Sequence, residues 1–150
     1  MKRPGRRRFL AGATGALALA ALPESVFAQA AIDPVIQGVV RGAPVKRGRV
    51  KLDLPELADN GNSVPVKVTV ESPMTAADHV RAIHLLSERN PERNVATFQF
   101  GARAGRAEIV TRVRLAGSQR VVALAELSDG SFWMDAAEIV VTLSACIDES

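Results

Sequence analysis

Residues 109–144 read IVTRVRLAGSQRVVALAELSDGSFWMDAAEIVVTLS. Apolar and polar side chains alternate along much of this stretch, which is typical of strands with one buried face and one face in water. The Gly117-Ser118 pair predicts a turn after the first run. Ser128-Asp129-Gly130-Ser131 predicts a hairpin turn, because Asp-Gly adopts positive φ angles at little cost. In the last run, residues 132–144, the expected core-facing side chains are Ile139, Val141 and Leu143.

The alternation extends toward the N-terminus. Residues 64–70 place four valines on one face, and we expect this strand to begin at Pro65 or to lie at a sheet edge, because proline cannot donate to a neighbouring strand. Residues 95–100 predict another strand, with Ala96, Phe98 and Phe100 facing inward. Residues 79–86 fit one or two helical turns as well as a strand, so their secondary structure stays open at this point.

About six or seven short strands without a long helix predict an all-β fold, an immunoglobulin-like antiparallel β-sandwich over residues 50–143. Residues 31–49 contain several prolines and glycines and are expected to form an extended lead-in, with room for a short helix at its start. Residues 144–150 follow the last strand as a C-terminal arm. We therefore expect one domain with a single hydrophobic core.

The first 30 residues read MKRPGRRRFLAGATGALALAALPESVFAQA. A cationic start, an apolar run and the small-residue site Ala28-Gln29-Ala30 predict a signal peptide, residues 1–30. Arg6-Arg7-Arg8-Phe9-Leu10 resembles the twin-arginine export signal, the alternative being an ordinary secretory signal. The apolar run is rich in alanine and interrupted by glycine, so we expect no permanent membrane anchor. Both kinds of signal predict a periplasmic protein.

The positive charge of the chain is concentrated in this leader. The whole sequence has a formal net charge of +3, yet 14 of its 19 basic and 15 of its 16 acidic residues lie in residues 31–150. Proteins that bind nucleic acids keep a basic surface and stacking aromatic residues. The near-neutral segment after the leader, which has no tyrosine, therefore predicts no nucleic-acid partner.

Cys146 is the only cysteine, so no intrachain disulfide can form. Three interpretations are open for a single cysteine in an oxidising compartment: a buried small hydrophobe, an intermolecular disulfide, or an exposed thiol that acts as a nucleophile or attachment point. Its position near the C-terminus of the sequence favours an accessible thiol, because chain termini tend to be exposed.

Motifs of an active site are missing from the sequence. His79 and His84 are five residues apart and share neither a helix face nor a strand face. A Cys146–His84 dyad has no local signature, and no nucleophile elbow or phosphate-binding loop is present. Five arginines either bind an anion or form a solvated sheet face: Arg103, Arg106, Arg112, Arg114 and Arg120. We therefore expect neither an enzyme nor a resident metal or cofactor.

Three segments suggest a family. They are VKLDLPELADNGNSVPVKVTVESPM (residues 50–74), IHLLSERNPERNVATFQF (residues 83–100) and AGRAEIVTRVRLAGSQRVVALAELSDGSFWM (residues 104–134). Together, across residues 40–143, they closely resemble the SoxY family of sulfur-oxidation carrier proteins. The resemblance implies an immunoglobulin-like sandwich that forms a heterodimer with a second sandwich protein, a SoxZ-like subunit.

In that family a cysteine near the C-terminus, within a Gly-Gly-Cys-Gly-Gly ending, holds sulfur from thiosulfate covalently. The resemblance implies that partner enzymes visit it in turn: a haem cytochrome that attaches the substrate, a hydrolase that releases sulfate, and a sulfane dehydrogenase. Cys146 matches the carrier cysteine by position, which makes it the expected covalent attachment residue of a protein that is not itself an enzyme.

The residues around Cys146 differ from the family ending. Ser144, Ala145 and Ile147 stand where the family has glycine, and they predict a stiffer and wider arm. Asp148 and Glu149 place negative charge beside the sulfur, which opposes thiolate formation. Two hypotheses follow, a SoxY-type carrier of sulfur oxidation and a divergent SoxY-like paralogue that acts as an interaction module without carrier chemistry.

Overall fold

Two β-sheets face each other in the computed structural model, which describes residues 33–144. Within these residues there are one helix, α1 (residues 33–40), and nine strands. The strands are β1 (Val45–Lys46), β2 (Val50–Asp53), β3 (Leu57–Asn60), β4 (Val64–Val70), β5 (Val80–Ser87), β6 (Asn94–Gln99), β7 (Ala107–Val113), β8 (Gln119–Leu127) and β9 (Phe132–Leu143). The predicted leader, residues 1–30, lies outside the described part.

The larger sheet has the order β1-β9-β8-β5-β6, with β3 also paired to β9, and the smaller sheet has the order β2-β4-β7. This arrangement confirms the predicted immunoglobulin-like β-sandwich. The pairing is antiparallel except at two places, since β1 and β3 both run parallel to β9. Strand β1 pairs with the N-terminal end of β9, and strand β3 pairs with its C-terminal end.

Strand β4 shows why the alternating sequence gives a sandwich. Its four valines are at most 4% exposed and face the core between the sheets, while Lys67 on the other face is in water. The strand is central, yet Pro65 is tolerated because β2 extends only as far as the Asp53–Lys67 pair. Pro65 pairs with β7 alone, opposite Arg112. The predicted start of this strand is therefore correct within one residue.

A second apolar cluster lies on the outer face of the larger sheet. Ile36 and Val40 of helix α1 form it together with side chains of β5, β8 and β9: Leu86, Val122, Leu124, Phe132 and Met134. The lead-in thus begins with a helix that covers a sheet face. No helix in residues 33–144 is long and apolar enough to cross a membrane.

The segment that the sequence left open is a strand. β5 lies between β8 and β6 and is buried on both faces, with Ile83, Leu85 and Leu86 at most 1% exposed. A strand covered on both faces loses the alternation that identifies half-buried strands, which is why residues 79–86 also fitted a helix.

Candidate functional site at the base of the C-terminal segment

Cys146 lies outside the described residues, so the site is built from the part of the sandwich that precedes it. Strand β9 ends at Leu143, and Ser144 is the last described residue. Ile139 and Val141 face the core as predicted, but Leu143 is 65% exposed. The prediction that Leu143 faces the core is wrong, because the last core residue of β9 is Val141, two residues earlier.

Strand β3 fixes one side of this chain end. Leu57 pairs with Val140, and Asn60 pairs with Leu143. The amide of Gly61 donates to the carbonyl of Leu143 at 2.8 Å. These contacts satisfy backbone groups at the end of β9, which would otherwise fray. The position of the described end of β9 is therefore set by residues far away in sequence.

The turn between β7 and β8 fixes the other side. The amide of Val141 donates to the Ser118 hydroxyl at 2.9 Å, so a side chain continues the β8–β9 ladder beyond its last paired residues, Gln119 and Ile139. Gly117 leaves little space beside Ser144, because a Cβ atom at Gly117 would lie 3.3 Å from the Ser144 Oγ. Gly117 has φ of 140°, a conformation that L side chains rarely adopt.

A buried amide network holds this turn. The Asn90 Nδ2 donates to the carbonyl of Arg114 at 2.8 Å, and the Asn90 Oδ1 accepts from the amide of Ala116 at 2.9 Å and from the Gln119 Nε2 at 3.0 Å. Asn90 and Gln119 are almost fully buried. Satisfied buried polar networks are rigid, so the turn is a firm support for the end of β9.

A cleft of about 330 Å³ opens between the edge strands β6 and β7. Its apolar lining comes from Val95, Ala96, Phe98 and Val113, and its rim carries three charged residues, Glu92, Arg112 and Arg114. Asn90, which holds the turn described above, also lines this cleft. The cleft and the end of β9 are therefore linked through the same loop.

The two histidines do not form a shared site. The Nδ1 of His79 lies 3.0 Å from the carbonyl oxygen of Thr75 in the loop before β5. His84 lies in the middle of β5, with its Nδ1 3.0 Å from the Thr97 hydroxyl and its Nε2 buried without a hydrogen-bond partner in the described residues. Burial lowers the pKa of His84, and the nearby Glu126 partly opposes that shift.

Metal ligands do not converge in the described part of the chain, where no three histidine, cysteine, aspartate or glutamate side chains are suitably grouped. The arginines that are close in sequence are separated in space as well. Arg103 and Arg106 belong to the loop between β6 and β7, whereas Arg112 and Arg114 lie at the other end of β7 and just beyond it. A single five-arginine anion site is thus not formed.

The turn at Gly117-Ser118 was predicted from the sequence, but its role as a support for β9 was not. The contact joins residues more than 20 positions apart, and only the glycine itself, as a residue that tolerates positive φ, signalled a special backbone position. The described residues at this end of the sandwich therefore fix the end of β9, which precedes Cys146 in the sequence.

Comparisons with known proteins agree with this architecture. The structure of the sulfur carrier protein SoxY from Chlorobium limicola f thiosulfatophilum is similar, with a TM-score of 0.63 and 24% identity, over 76% of this chain and 98% of that one. A superoxide reductase (neelaredoxin) from Ignicoccus hospitalis has a TM-score of 0.57 and 20% identity, over 63% and 80% of the two chains. A putative superoxide reductase from Thermotoga maritima has a TM-score of 0.54 and 21% identity, over 68% and 89%.

These likenesses, all under 25% identity, show a shared fold. A search of curated protein sequences finds no match. The family model described as sulfur oxidation protein SoxY matches residues 36–146, which is most of the chain. The chain belongs to the SoxY family of sulfur-oxidation carrier proteins.

Proposed function

We propose that the protein carries sulfur intermediates of thiosulfate oxidation covalently on Cys146 and presents them to partner enzymes. The observation that supports this most strongly is the extent of the family match, which continues past the last strand and ends at Cys146 itself. The fixed end of β9 supports it as well, because a carrier needs a body that holds the base of its arm in one place.

In the loading step, the new bond, the proton and the electrons are all accounted for. The Cys146 thiolate forms an S–S bond with the outer sulfur of thiosulfate, the thiol proton goes to water, and two electrons pass to an oxidised haem cytochrome. A hydrolase then adds water to the sulfonate end, which releases sulfate and leaves a persulfide on Cys146. The thiolate is the reactive form of cysteine, and no group of this chain has to act as a catalyst.

The reach of the thiol is short. Cys146 is two residues beyond Ser144, so an extended chain carries its Cα about 7 Å from that of Ser144. Partner enzymes must therefore approach the end of the sandwich formed by the end of β3, the turn at Gly117 and Ser118, and the loop that contains Asn90. The missing glycines around Cys146 restrict the backbone further, so we expect slower transfer than on a glycine-rich arm.

The remaining parts of the proposal concern location and partners. Residues 1–30 are a twin-arginine type signal that directs the protein to the periplasm, residues 31–49 lead into the sandwich, and residues 144–150 form the arm. The partners are a SoxZ-like subunit in a heterodimer, the haem cytochrome, the sulfate-releasing hydrolase and the sulfane dehydrogenase. Co-purification of a tagged chain from periplasm tests the heterodimer, and a signal with Arg6 and Arg7 replaced by lysine tests the export route.

The alternative function is a divergent interaction module without carrier chemistry. It is favoured by the ending Ser-Ala-Cys-Ile-Asp-Glu-Ser, which lacks the family glycines and carries two acids. In this alternative the sandwich still binds a partner subunit, but Cys146 never acquires sulfur.

Loading in vitro distinguishes the sulfur carrier from the interaction module. The wild-type chain and a Cys146→Ser variant, each with the partner subunit, are incubated with thiosulfate and the oxidised haem cytochrome, and intact masses are measured before and after a reductant. We expect a reducible thiosulfonate adduct on the wild type only. An adduct that persists in Cys146→Ser excludes this attachment residue, and an alkylatable but never loaded wild-type thiol favours the interaction module.

A further inference from the structure

Two exposed apolar side chains lie side by side near the C-terminal end of β9. Leu57 of β3 pairs in register with Val140 of β9, and the two side chains are 57% and 55% exposed. Successive side chains of a strand alternate between its two faces. Leu57 and Val140 therefore lie on the face opposite Ala58 and Val141, which pack in the core. This face is the outer face of the larger sheet.

Helix α1 covers only part of that outer face. Its apolar residues pack with Phe132 and Met134 at the N-terminal end of β9, whereas Val140 near the other end is exposed. Single exposed apolar residues are common on protein surfaces, but adjacent ones with a polar rim mark interaction sites. The uncovered half of the face is therefore a candidate surface for another protein.

Acidic residues surround this apolar pair. Asp59 shares its face, since it follows Leu57 by two positions, and Glu56 directly precedes Leu57. Both are exposed, and in the described part of the chain neither carboxylate has an ion pair or a hydrogen bond. Glu138 lies on the same face, where Arg120 of β8 is opposite it and offsets its charge. The remaining negative charge favours an occupant with lysine or arginine around an apolar centre.

The size and position of this surface fit a short-lived contact with an enzyme. A stable interface buries about 800 Å² on each partner, and two side chains that are little more than half exposed supply only part of that. Small interfaces are typical of transient encounters, including those between electron-transfer partners. Val140 precedes Cys146 by six positions, so an extended chain separates their Cα atoms by about 20 Å at most. An enzyme bound over Val140 is therefore close to the proposed attachment thiol.

We propose that Leu57 and Val140, with the acidic residues Glu56 and Asp59, form the docking surface for the enzyme that loads Cys146. That enzyme presents an apolar patch surrounded by lysine or arginine. The apolar pair supplies most of the affinity, and the carboxylates accelerate the encounter. The inference rests on the proposed carrier function, because it names the surface on which a partner enzyme binds. Docking itself needs no sulfur chemistry and is measured without it.

Docking is measured with a Cys146→Ser chain, which has no thiol to load. This chain, with its partner subunit, is titrated onto the immobilised oxidised haem cytochrome, and the Kd is measured at low and at physiological ionic strength. Adding Leu57→Gln and Val140→Thr should raise the Kd at least about tenfold, because a docked enzyme buries the exposed parts of both side chains. Adding Glu56→Lys and Asp59→Lys instead should raise the Kd at least about threefold at low ionic strength and weaken its salt dependence.

Each kind of change has a matched control. Val110→Thr alters a valine that is 73% exposed on the outer face of the smaller sheet. Glu71→Lys with Glu92→Lys makes the same change in net charge at two exposed positions away from the apolar pair. Neither control should change the Kd. If Leu57→Gln with Val140→Thr misfolds, Val140→Thr alone keeps the measurement possible, because it replaces one β-branched residue with another at an exposed position.

An unchanged Kd in the Leu57 and Val140 variants overturns the docking surface, and so does an equal rise in Val110→Thr. Loss of the partner subunit or of self-association in these variants overturns it too, because the pair would then belong to that interface.

Loading of chains that keep Cys146 separates this inference from the carrier proposal. If the wild type loads, Leu57→Gln with Val140→Thr should raise the KM of the cytochrome for the carrier and leave kcat unchanged. An unchanged KM overturns the docking surface alone. A wild type that binds the cytochrome through this pair but never loads contradicts the carrier proposal and leaves the docking surface supported.

Discussion

Gly117, in the turn after β7, lies beside Ser144, the last described residue of the chain, with too little space between them for an additional side chain. Gly117 has φ of 140° and would place a Cβ atom 3.3 Å from the Ser144 Oγ. The same turn receives the amide of Val141 on the Ser118 hydroxyl. The position of Ser144 is therefore constrained by a glycine whose backbone conformation other residues rarely adopt.

Gly117→Ala should be destabilising. The new side chain is strained at this φ and pushes against Ser144, and we expect a loss of about 1–3 kcal/mol in the free energy of unfolding. Urea denaturation measures it. Gly101→Ala is the matched control, because a Cβ atom there meets nothing within 4 Å. Equal stability of the two variants would mean that the turn does not constrain the chain end.

Ser118→Ala removes the side chain that continues the β8–β9 ladder. The amide of Val141 loses its acceptor at 2.9 Å, and we expect a cost of about 1 kcal/mol, the usual net value of such a hydrogen bond. Hydrogen exchange at Val141 should accelerate as well. Ser63→Ala, at a serine whose contacts to Arg112 are long and exposed, should change neither quantity. Unaltered hydrogen exchange at Val141 in Ser118→Ala would contradict the claim that Ser118 holds the end of β9.

Leu115→Ala tests whether the core reaches this end of the sandwich. Leu115 is fully buried, and its amide donates to the carbonyl of Gly61 at 2.8 Å. Truncation leaves a cavity, and we expect a loss of about 2–5 kcal/mol in thermal or urea denaturation. Val110→Ala, at a valine that is 73% exposed on the outer face of the smaller sheet, should be close to neutral. A similarly small effect of Leu115→Ala would show that this end is loosely packed.

His84 predicts a pH dependence of stability. Burial lowers its pKa below the ordinary value of 6.5, so the folded protein favours the neutral ring. Below pH 6.5 the unfolded chain binds more protons at this position, and stability falls with falling pH until the folded-state pKa is passed. Comparing His84→Asn with the wild type at several pH values isolates this contribution. The wild type should lose more stability than the variant between pH 7.5 and 5.5, and parallel curves would contradict the assignment.

The sandwich could be predicted from the sequence because its half-buried strands alternate clearly. β4 and β7 each place apolar residues on one face, and the Asp129-Gly130 turn forms as expected, with Gly130 at φ of 79° and the amide of Leu127 bonded to the carbonyl of Ser131. Strand β5 could not be distinguished from a helix, because Ile83 and Leu85 face the core between the sheets while Leu86 packs in the outer cluster with helix α1, so apolar residues lie on both faces. The parallel strands β1 and β3 are too short to give a pattern of their own.

The site could be predicted only in part, for a different physical reason. Cys146 was evident as the single thiol, but the support of β9 depends on contacts such as Asn60–Leu143 and Ser118–Val141, which join segments far apart in sequence. Leu143 was expected in the core because the alternation continues to it, whereas Val141 is the last residue of β9 that belongs to the core. Periodicity reports which face a residue occupies, and the length of the opposite sheet decides whether that face is buried.

The carrier proposal is tested most directly by the chemical state of Cys146 in protein isolated from periplasm. Peptides containing Cys146 are mapped by mass spectrometry without reductant, with reductant, and after alkylation, in cells grown with and without thiosulfate. The account predicts reducible sulfur additions on Cys146 that appear when thiosulfate is oxidised. A Cys146 thiol that is reachable by the alkylating reagent, yet unmodified under every condition, would contradict it.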